Sequence, residues 1–313
     1  MVIVHPIISI VMPLYNKAEQ VLEAIASIQA QTIDDWELVV VDDGSTDSGP
    51  DQVAALPDLR IRLHRQANAG VAAARNAGVA LARADLVAFL DADDLWDQRF
   101  LETILALKRD YPQARWYATS YRILDSQGVI RQAVLRGLPP DYGRGLMTRY
   151  FTVATASNPP VCSSAMGVDK GAIEGIGGFP AGIASGEDLL TWARLAVRYP
   201  LAYDVNPLAV FRISGIERLP ADTDEVGEAL ADMARQQMHI KGLRQYLGLW
   251  HRMRAVMFLR LGQRSRARRS AWRAVRAAVN GRNLYILALA VLPGNLGPWV
   301  DRFLRQWHRK LGC

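Results

Sequence analysis

Asp91-Ala92-Asp93 directly follows the apolar run 86–90, and chemistry can start there. Two carboxylates one residue apart in a loop can point into one crevice and share a divalent cation. Mg²⁺ or Mn²⁺ takes such oxygens and keeps positions open for a diphosphate. Alone, the pair has a plainer reading, because Asp94 could cap the next helix. Asp42-Asp43, after another apolar run, reads alone as a turn. Same-sign carboxylates at one sheet edge repel unless a cation or a hydrogen-bond donor stabilises them, so the two pairs together argue for more than turns. Glu187-Asp188 opens a helical pattern. Acidic residues in a first turn suit the helix dipole without any catalytic role, yet a carboxylate there is also suited to take a proton from a hydroxyl.

These residues need a scaffold. Residues 7–12 form an apolar, β-branched run stopped by Pro13, the pattern of a buried strand ending in a loop. Helical spacing runs over 18–31, with Val21, Leu22, Ile25 and Ile28 on one stripe. Further strands are expected at 36–41, 61–63 and 86–90, with helices at 46–56 and 70–82. Strands alternating with helices predict an α/β fold with parallel strands near the centre of its sheet. Ligands in such sheets sit outside the carboxyl ends of the strands. Tyr15-Asn16, Asp42-Asp43 and residues 91–94 all fall at such ends. Beyond Trp96 the pattern is less regular: a helix at 100–109, a strand at 116–123, a loop-rich span over 136–186, and a helix at 187–199 carrying Leu190, Ala193 or Arg194, and Val197. A boundary near residue 220 divides a catalytic domain, 1–220, from a helical, basic region, 221–313.

Four pieces then stand in a telling order: Ser9-Ile10-Val11-Met12-Pro13-Leu14-Tyr15-Asn16, Val40-Val41-Asp42-Asp43-Gly44-Ser45-Thr46-Asp47, Asn68-Ala69-Gly70-Val71 with Ala74-Arg75-Asn76, and Phe89-Leu90-Asp91-Ala92-Asp93-Asp94. With them residues 7–110 resemble the nucleotide-binding half of the family 2 glycosyltransferases, a family with the GT-A fold: a Rossmann-like sheet flanked by helices. Gly177-Gly178-Phe179 and Gly186-Glu187-Asp188 resemble its acceptor-side motif, which takes the resemblance over about two thirds of the chain. The resemblance implies that Asp42 reads the base, Asp43 supports that pocket, and Pro13 and Tyr15 pack against the base. Arg75 would sit near the nucleotide, or else bridge to the Asp42/Asp43 loop. Asp93 would bind Mn²⁺ or Mg²⁺, with Asp91 on the ribose or the metal-bound diphosphate. Asp188 would be the catalytic base, with Glu187 beside it. The Gln-x-x-Arg-Trp motif of the family's processive synthases does not occur, so one addition per encounter is expected. Leu14-Tyr15 does not fix the base, and UDP is favoured by the family's habits.

Composition sets the outer limits. The chain has 313 residues, 50% hydrophobic and 22% charged, with a mean hydropathy of +0.01. That excludes dominant disorder. Two cysteines, Cys162 and Cys313, cannot staple a fold of this size, so a reducing compartment is expected. Cys162 sits among small and apolar residues and reads as core rather than nucleophile. No apolar run reaches the roughly 18 residues of a spanning helix, and residues 1–10 lack the basic start of a signal peptide. The five histidines show no ligand spacing, and no P-loop occurs. An Asp-x-Asp phosphatase would need Thr or Val where Leu95 stands. An acidic-pocket signalling domain would need a lysine at a later strand end.

The charge is divided unevenly. Of 37 Lys/Arg and 31 Asp/Glu, 17 bases and one acid lie from Arg235 onward, leaving 20 bases and 30 acids before it. The tail is thus +16 and the body −10. Leu243, Leu247, Trp250, Met253, Met257 and Leu261 predict an amphipathic helix on which Arg254 intrudes. Arg266, Arg269, Arg273 and Arg276 predict a basic stripe, and Trp299, Phe303, Leu304 and Trp307 stand among further bases. This suits an anionic bilayer surface; a solvated face partly paired with the acids at 222–232 is the alternative. No nucleic-acid-binding motif accompanies the charge. The expected protein is cytoplasmic, peripheral on the inner face of the membrane, with a nucleotide-sugar donor and a saccharide or lipid-linked acceptor.

Overall fold

Burial of every position in Ile8–Leu14 and Trp36–Asp42 requires cover on both faces of the sheet. Helices supply it, as the near-continuous apolar runs demand. The computed structural model describes residues 6–213 and 221–292. The expected boundary near 220, the stretch holding Trp299, Phe303, Leu304 and Trp307, and Cys313 lie outside the described residues.

The first half alternates as expected: β1 (Ile8–Leu14), α1 (Val21–Gln29), β2 (Trp36–Asp42), α2 (Gly49–Ala54), β3 (Ile61–Arg65), α3 (Val71–Leu81) and β4 (Leu86–Phe89). These strands lie in the order β3-β2-β1-β4, all parallel. Val21, Ala24, Ile25 and Ile28 bury the inner face of α1, whereas Leu22 of the expected stripe is 42% exposed. The alanines of α3 let it lie close to the sheet. A Cβ on Gly78 would stand 2.2 Å from Val11 Cγ1. Pro13 does not stop β1, which runs on to Leu14 in register with Asp42. The ladder to β4 ends at Val11, so the missing N–H of Pro13 faces no partner strand and costs nothing there.

The second half is mixed. It holds β5 (Leu95–Trp96), α4 (Phe100–Asp110), β6 (Trp116–Leu124), β7 (Ile130–Gln132), β8 (Arg144–Met147), α5 (Tyr150–Ala156), β9 (Met166–Asp169), α6 (Lys170–Gly175), α7 (Glu187–Arg198) and β10 (Leu201–Arg212). Within the supposed loop-rich span, β9 inserts antiparallel between β4 and β6 and carries the sheet across its centre. Four residues, Met-Gly-Val-Asp, show no period. The close fit of Gly167 to Ile104 fixes their place instead, because a Cβ would lie 2.8 Å from Ile104 Cγ2. Core residues fill both faces of the sheet in two clusters.

Four helices complete the described chain: α8 (Glu225–Gln236), α9 (Leu243–Arg260), α10 (Arg264–Ala277) and α11 (Gly281–Val291). Val226 and Leu230 of α8 and Leu243, Tyr246, Leu247 and Trp250 of α9 join the same core cluster as Trp192 and Phe179. Ala255 and Phe258 instead pack with α10 and α11 in a separate cluster. Leu243, Leu247 and Trp250 of the expected stripe are buried, and beyond them the buried face of α9 turns to Arg254, Ala255 and Phe258. Trp250 is only 5% exposed, Arg254 is buried, and Met253 and Leu261 face solvent. Trp250 is therefore not available to a bilayer. The turn is caused by Asp224, which draws Arg254 and Trp250 inward together.

Candidate active site

Two loops meet at the carboxyl ends of β1 and β2. Asn16, at φ 52, accepts the Thr46 N–H on its Oδ1 at 2.8 Å. Asp47 accepts the Ala18 N–H at 2.8 Å. Tyr15, beside that joint, is 48% exposed, whereas Pro13 is buried in the strand. The two neighbouring aspartates have different jobs. Asp43 takes Gln66 Nε2 at 2.7 Å, the Ala69 N–H at 2.9 Å and the Gly70 N–H at 2.8 Å. It thereby shapes the entry to α3. Asp42 accepts the Ser45 N–H with one oxygen at 2.9 Å.

From α3, Arg75 and Asn76 both reach Phe179 and take different further partners. Asn76 exchanges two hydrogen bonds of 2.8 Å with the backbone of Phe179, so the Gly177-Gly178-Phe179 segment is clamped to α3. Arg75, 3% exposed, holds both oxygens of Asp91 at 2.8 and 2.9 Å. Its Nη1 lies 3.7 Å from Glu187 Oε1, and its guanidinium stands over the Phe179 ring at 5.3 Å. Burial opposes its charge, but the carboxylates of Asp91, Glu187 and Asp188 outweigh that and raise its pKa further. The bridge to the Asp42/Asp43 loop is not what forms. Arg75 instead ties the Asp91 loop to the start of α7.

Asp91, Asp93 and Asp94 separate as sharply as Asp42 and Asp43 do. Asp94 caps no helix, since α4 begins at Phe100 behind Arg99. Buried at 1% exposure, it accepts the Ser164 hydroxyl at 2.6 Å and the Arg212 N–H at 2.7 Å. Burial, helped by the charge of Asp91, pushes its carboxyl well up, against those two donors. Ser164 also accepts the Asp91 N–H at 3.0 Å, so this one serine shapes the whole loop. Asp93 faces Lys17 Nζ at 2.5 Å, with its side chain 16% exposed; that of Asp91 is 25% exposed. Burial pushes the Cys162 thiol well up, and Asp94, Asp91 and Asp188 push it the same way. The thiol is thus a poor nucleophile.

Asp188 and Glu187 occupy the first turn of α7, behind Gly186 at φ 87. Asp188 accepts the Leu189 N–H at 2.7 Å. A Cβ on Gly186 would lie 2.4 Å from Trp250 Cζ3, and the Tyr246 hydroxyl donates to the Leu189 carbonyl at 3.2 Å. Helix α9 therefore seats the acidic turn directly. Sequence reasoning named every carboxylate in this crevice but missed Lys17, Asn76, Ser164, Tyr246 and Trp250. Lys17 and Asn76 stood beside or within quoted motifs, so their signal was present. Ser164 and Tyr246 come from distant segments and gave none, and Trp250 stood out only as part of the apolar stripe of the tail.

Asp91, Asp93, Lys17 and the Glu187-Asp188 turn are thus linked through Arg75 and the loop after β4. The comparisons with known proteins speak to family and fold. The model of the family "Glycosyl transferase family 2" matches residues 9–175. An uncharacterized glycosyltransferase of Rickettsia conorii is 32% identical over 209 residues, covering 66% of this chain and 33% of the relative. The chain thus spans about a third of the length of that relative. The UDP-Glc:alpha-D-GlcNAc-diphosphoundecaprenol beta-1,3-glucosyltransferase of Escherichia coli is 33% identical over 129 residues, 41% of this chain and 51% of the relative. The crystal structure of S. aureus TarS 1-349 in complex with UDP-GlcNAc superposes with a TM-score of 0.66 at 16% identity, over 90% of this chain and 83% of that one. That likeness covers the GT-A fold and the helical extension.

Proposed function

Because the chain belongs to glycosyl transferase family 2 and is a glycosyltransferase of the GT-A fold, we propose that it moves one sugar per encounter, with inversion, from a nucleotide-sugar to an acceptor hydroxyl. The observation that carries this reading is Arg75. It joins Asp91, on the donor side, to Glu187 and Asp188, on the acceptor side, in one crevice. Tyr15 offers an exposed ring to a base at the end of β1, and Asp42, itself buried and bonded to the Ser45 N–H, stands at the adjoining end of β2. Asp188 accepts the proton of the attacking hydroxyl as its oxygen reaches the anomeric carbon.

Asp93 and Asp91 suit Mn²⁺ or Mg²⁺, because they are two hard carboxylates on one loop, both partly open, and such ions complete their shell with diphosphate oxygens. For that, Lys17 must yield Asp93, and Arg75, which holds both oxygens of Asp91, must share that carboxylate. When bound, the ion would stabilise charge on the departing diphosphate. UDP is the favoured carrier: the E. coli relative uses UDP-Glc by name, and TarS was crystallised with UDP-GlcNAc.

That relative acts on a diphosphoundecaprenol-linked sugar, which supports a lipid-linked acceptor in envelope polysaccharide or glycolipid assembly. No helix among the described residues is long and apolar enough to cross a membrane. The catalytic region at 1–220 would meet the bilayer through the region 221–313. Support for that comes from Trp272, Leu284 and Val291, which are 55%, 47% and 58% exposed on α10 and α11. Thermal unfolding with a panel of nucleotide-sugars, with and without Mn²⁺, tests the donor reading, because ligands of the native state raise its stability. A Mn²⁺-dependent rise with a UDP-sugar is expected. No rise with any nucleotide-sugar would remove the donor site.

A further inference from the structure

The junction of α8, α9 and α10 holds a cleft of about 490 Å³ that the transfer reaction does not use. Four guanidinium groups line it: Arg235 from α8, Arg244 from α9, and Arg273 and Arg276 from α10. Its lining has one carboxylate, Glu228. Arg235 pairs with Asp232, and Arg273 reaches Asp224 at 3.0 Å. Arg244 and Arg276 have no acidic partner among the described residues, and both are exposed. Like charges brought together around a concavity repel, and an anion relieves that repulsion. Arginine forks match phosphate oxygens in pairs.

We propose that this cleft binds a phosphate monoester carried by a membrane lipid, with Arg244 and Arg276 as its principal contacts. The bilayer source is argued from the rim. Met238, which lines the cleft, is 81% exposed. Trp272, 55% exposed, stands one turn before Arg276 on the same face of α10. An apolar rim beside an anion-seeking floor fits a headgroup at an interface better than an ion in water. Arg268 and Arg269 lie exposed on α10 outside the lining and supply only general attraction to a charged surface. The proposal rests on the membrane reading above and sharpens it from net charge to headgroup chemistry.

The test uses the full chain and two sets of phosphatidylcholine vesicles, doped with phosphatidic acid or with phosphatidylglycerol to equal surface potential. Phosphatidic acid presents a phosphate monoester and phosphatidylglycerol a diester. The wild type should bind the first about tenfold more tightly, the size expected of one or two charge-assisted hydrogen bonds. R244Q/R276Q should bind both equally, while R268Q/R269Q should weaken on both and keep the preference. Circular dichroism checks that each variant is folded. Equal wild-type binding to both vesicles, or a preference surviving in R244Q/R276Q, overturns the cleft as a lipid headgroup site and leaves the membrane reading standing. Binding to neither vesicle overturns the membrane reading and the cleft with it. Glycerol phosphate that stabilises the wild type but not R244Q/R276Q, without any vesicle preference, gives the cleft to a soluble phosphate and overturns the lipid source.

Discussion

Asp188 keeps one carboxylate oxygen on the N–H of Leu189 at 2.7 Å, which leaves the other for the proton that the proposed mechanism assigns to it. Asn at this position preserves shape and hydrogen bonding but cannot accept the proton. Asp188→Asn should therefore retain donor affinity while turnover falls about 10²–10⁴-fold. Calorimetric binding of the nucleotide beside a saturated transfer assay measures both, and near wild-type turnover would sink the base assignment. Asp93 differs, because its visible partner is the partly exposed Lys17 at 2.5 Å. Such pairs contribute about 1 kcal/mol or less. Asp93→Ala should thus fold normally yet lose the Mn²⁺-dependent part of nucleoside diphosphate affinity; an unchanged affinity with Mn²⁺ present would take Asp93 out of the metal site. At this scale the sequence was most legible in its carboxylates, since clusters at strand ends stand out in any reading. It was least legible in what separates one carboxylate from its neighbour. Asp43 and Asp94 are consumed by loop N–H groups and Ser164, and those partners arrive from distant chain.

Elements carry the longer couplings, and Asp224 is the clearest. It caps α8 through the Gly227 N–H at 3.2 Å and receives Trp250 Nε1 at 2.8 Å. His251 Nδ1 stands 3.3 Å away and Arg254 Nε 3.5 Å. Burial alone would raise its carboxyl; His251, Trp250 and Arg254 overcome that and lower it to about 2. A carboxyl depressed from 3.8 in the folded state stabilises the fold above pH 4, and that stability is lost as pH falls toward 2. The increment is about 2 kcal/mol. Urea titrations at pH 7, 4 and 3 should show Asp224→Asn less stable at pH 7, with the difference from wild type shrinking at pH 3. An equal difference at every pH would mean that packing, not charge, holds the joint. The same cluster explains why the periodicity of α9 misled. Its apolar residues are spread so evenly that either face could serve as core, and Asp224 selects the one bearing Arg254. Short elements such as β9 fail for another reason: four residues fixed by the fit of Gly167 against Ile104 contain no repeat to detect.

Taken as a whole molecule, the chain divides differently from its charge. Arithmetic alone places a cut near residue 234, where the basic excess begins. The core does not divide there, because Leu243, Tyr246 and Trp250 of α9 pack with Phe151, Phe179 and Trp192. Trp250 also closes on Gly186, directly before the acidic pair. A chain stopped after residue 234 loses this wall. Removing one buried Trp costs about 3–5 kcal/mol, and such a loss approaches the total stability of many domains. That form should be unfolded or, if folded, inactive even with donor bound. A chain stopped after Gly262 keeps α9 whole and loses α10, α11 and the residues beyond them, including 11 of the 17 bases of the tail. It exposes Ala255 and Phe258 and frees Asp224 from Arg273, yet leaves the wall of the acidic turn intact. This longer form should fold, bind a nucleotide-sugar and transfer to a soluble acceptor, while binding anionic vesicles weakly and losing the remainder as salt screens the surviving charges. Circular dichroism, thermal shift with UDP and Mn²⁺, and vesicle sedimentation across a salt series read the three properties separately. Full vesicle binding by the chain stopped at Gly262 would place the membrane contact on the catalytic body. Full transfer by the chain stopped at 234 would show that α9 does not seat Asp188.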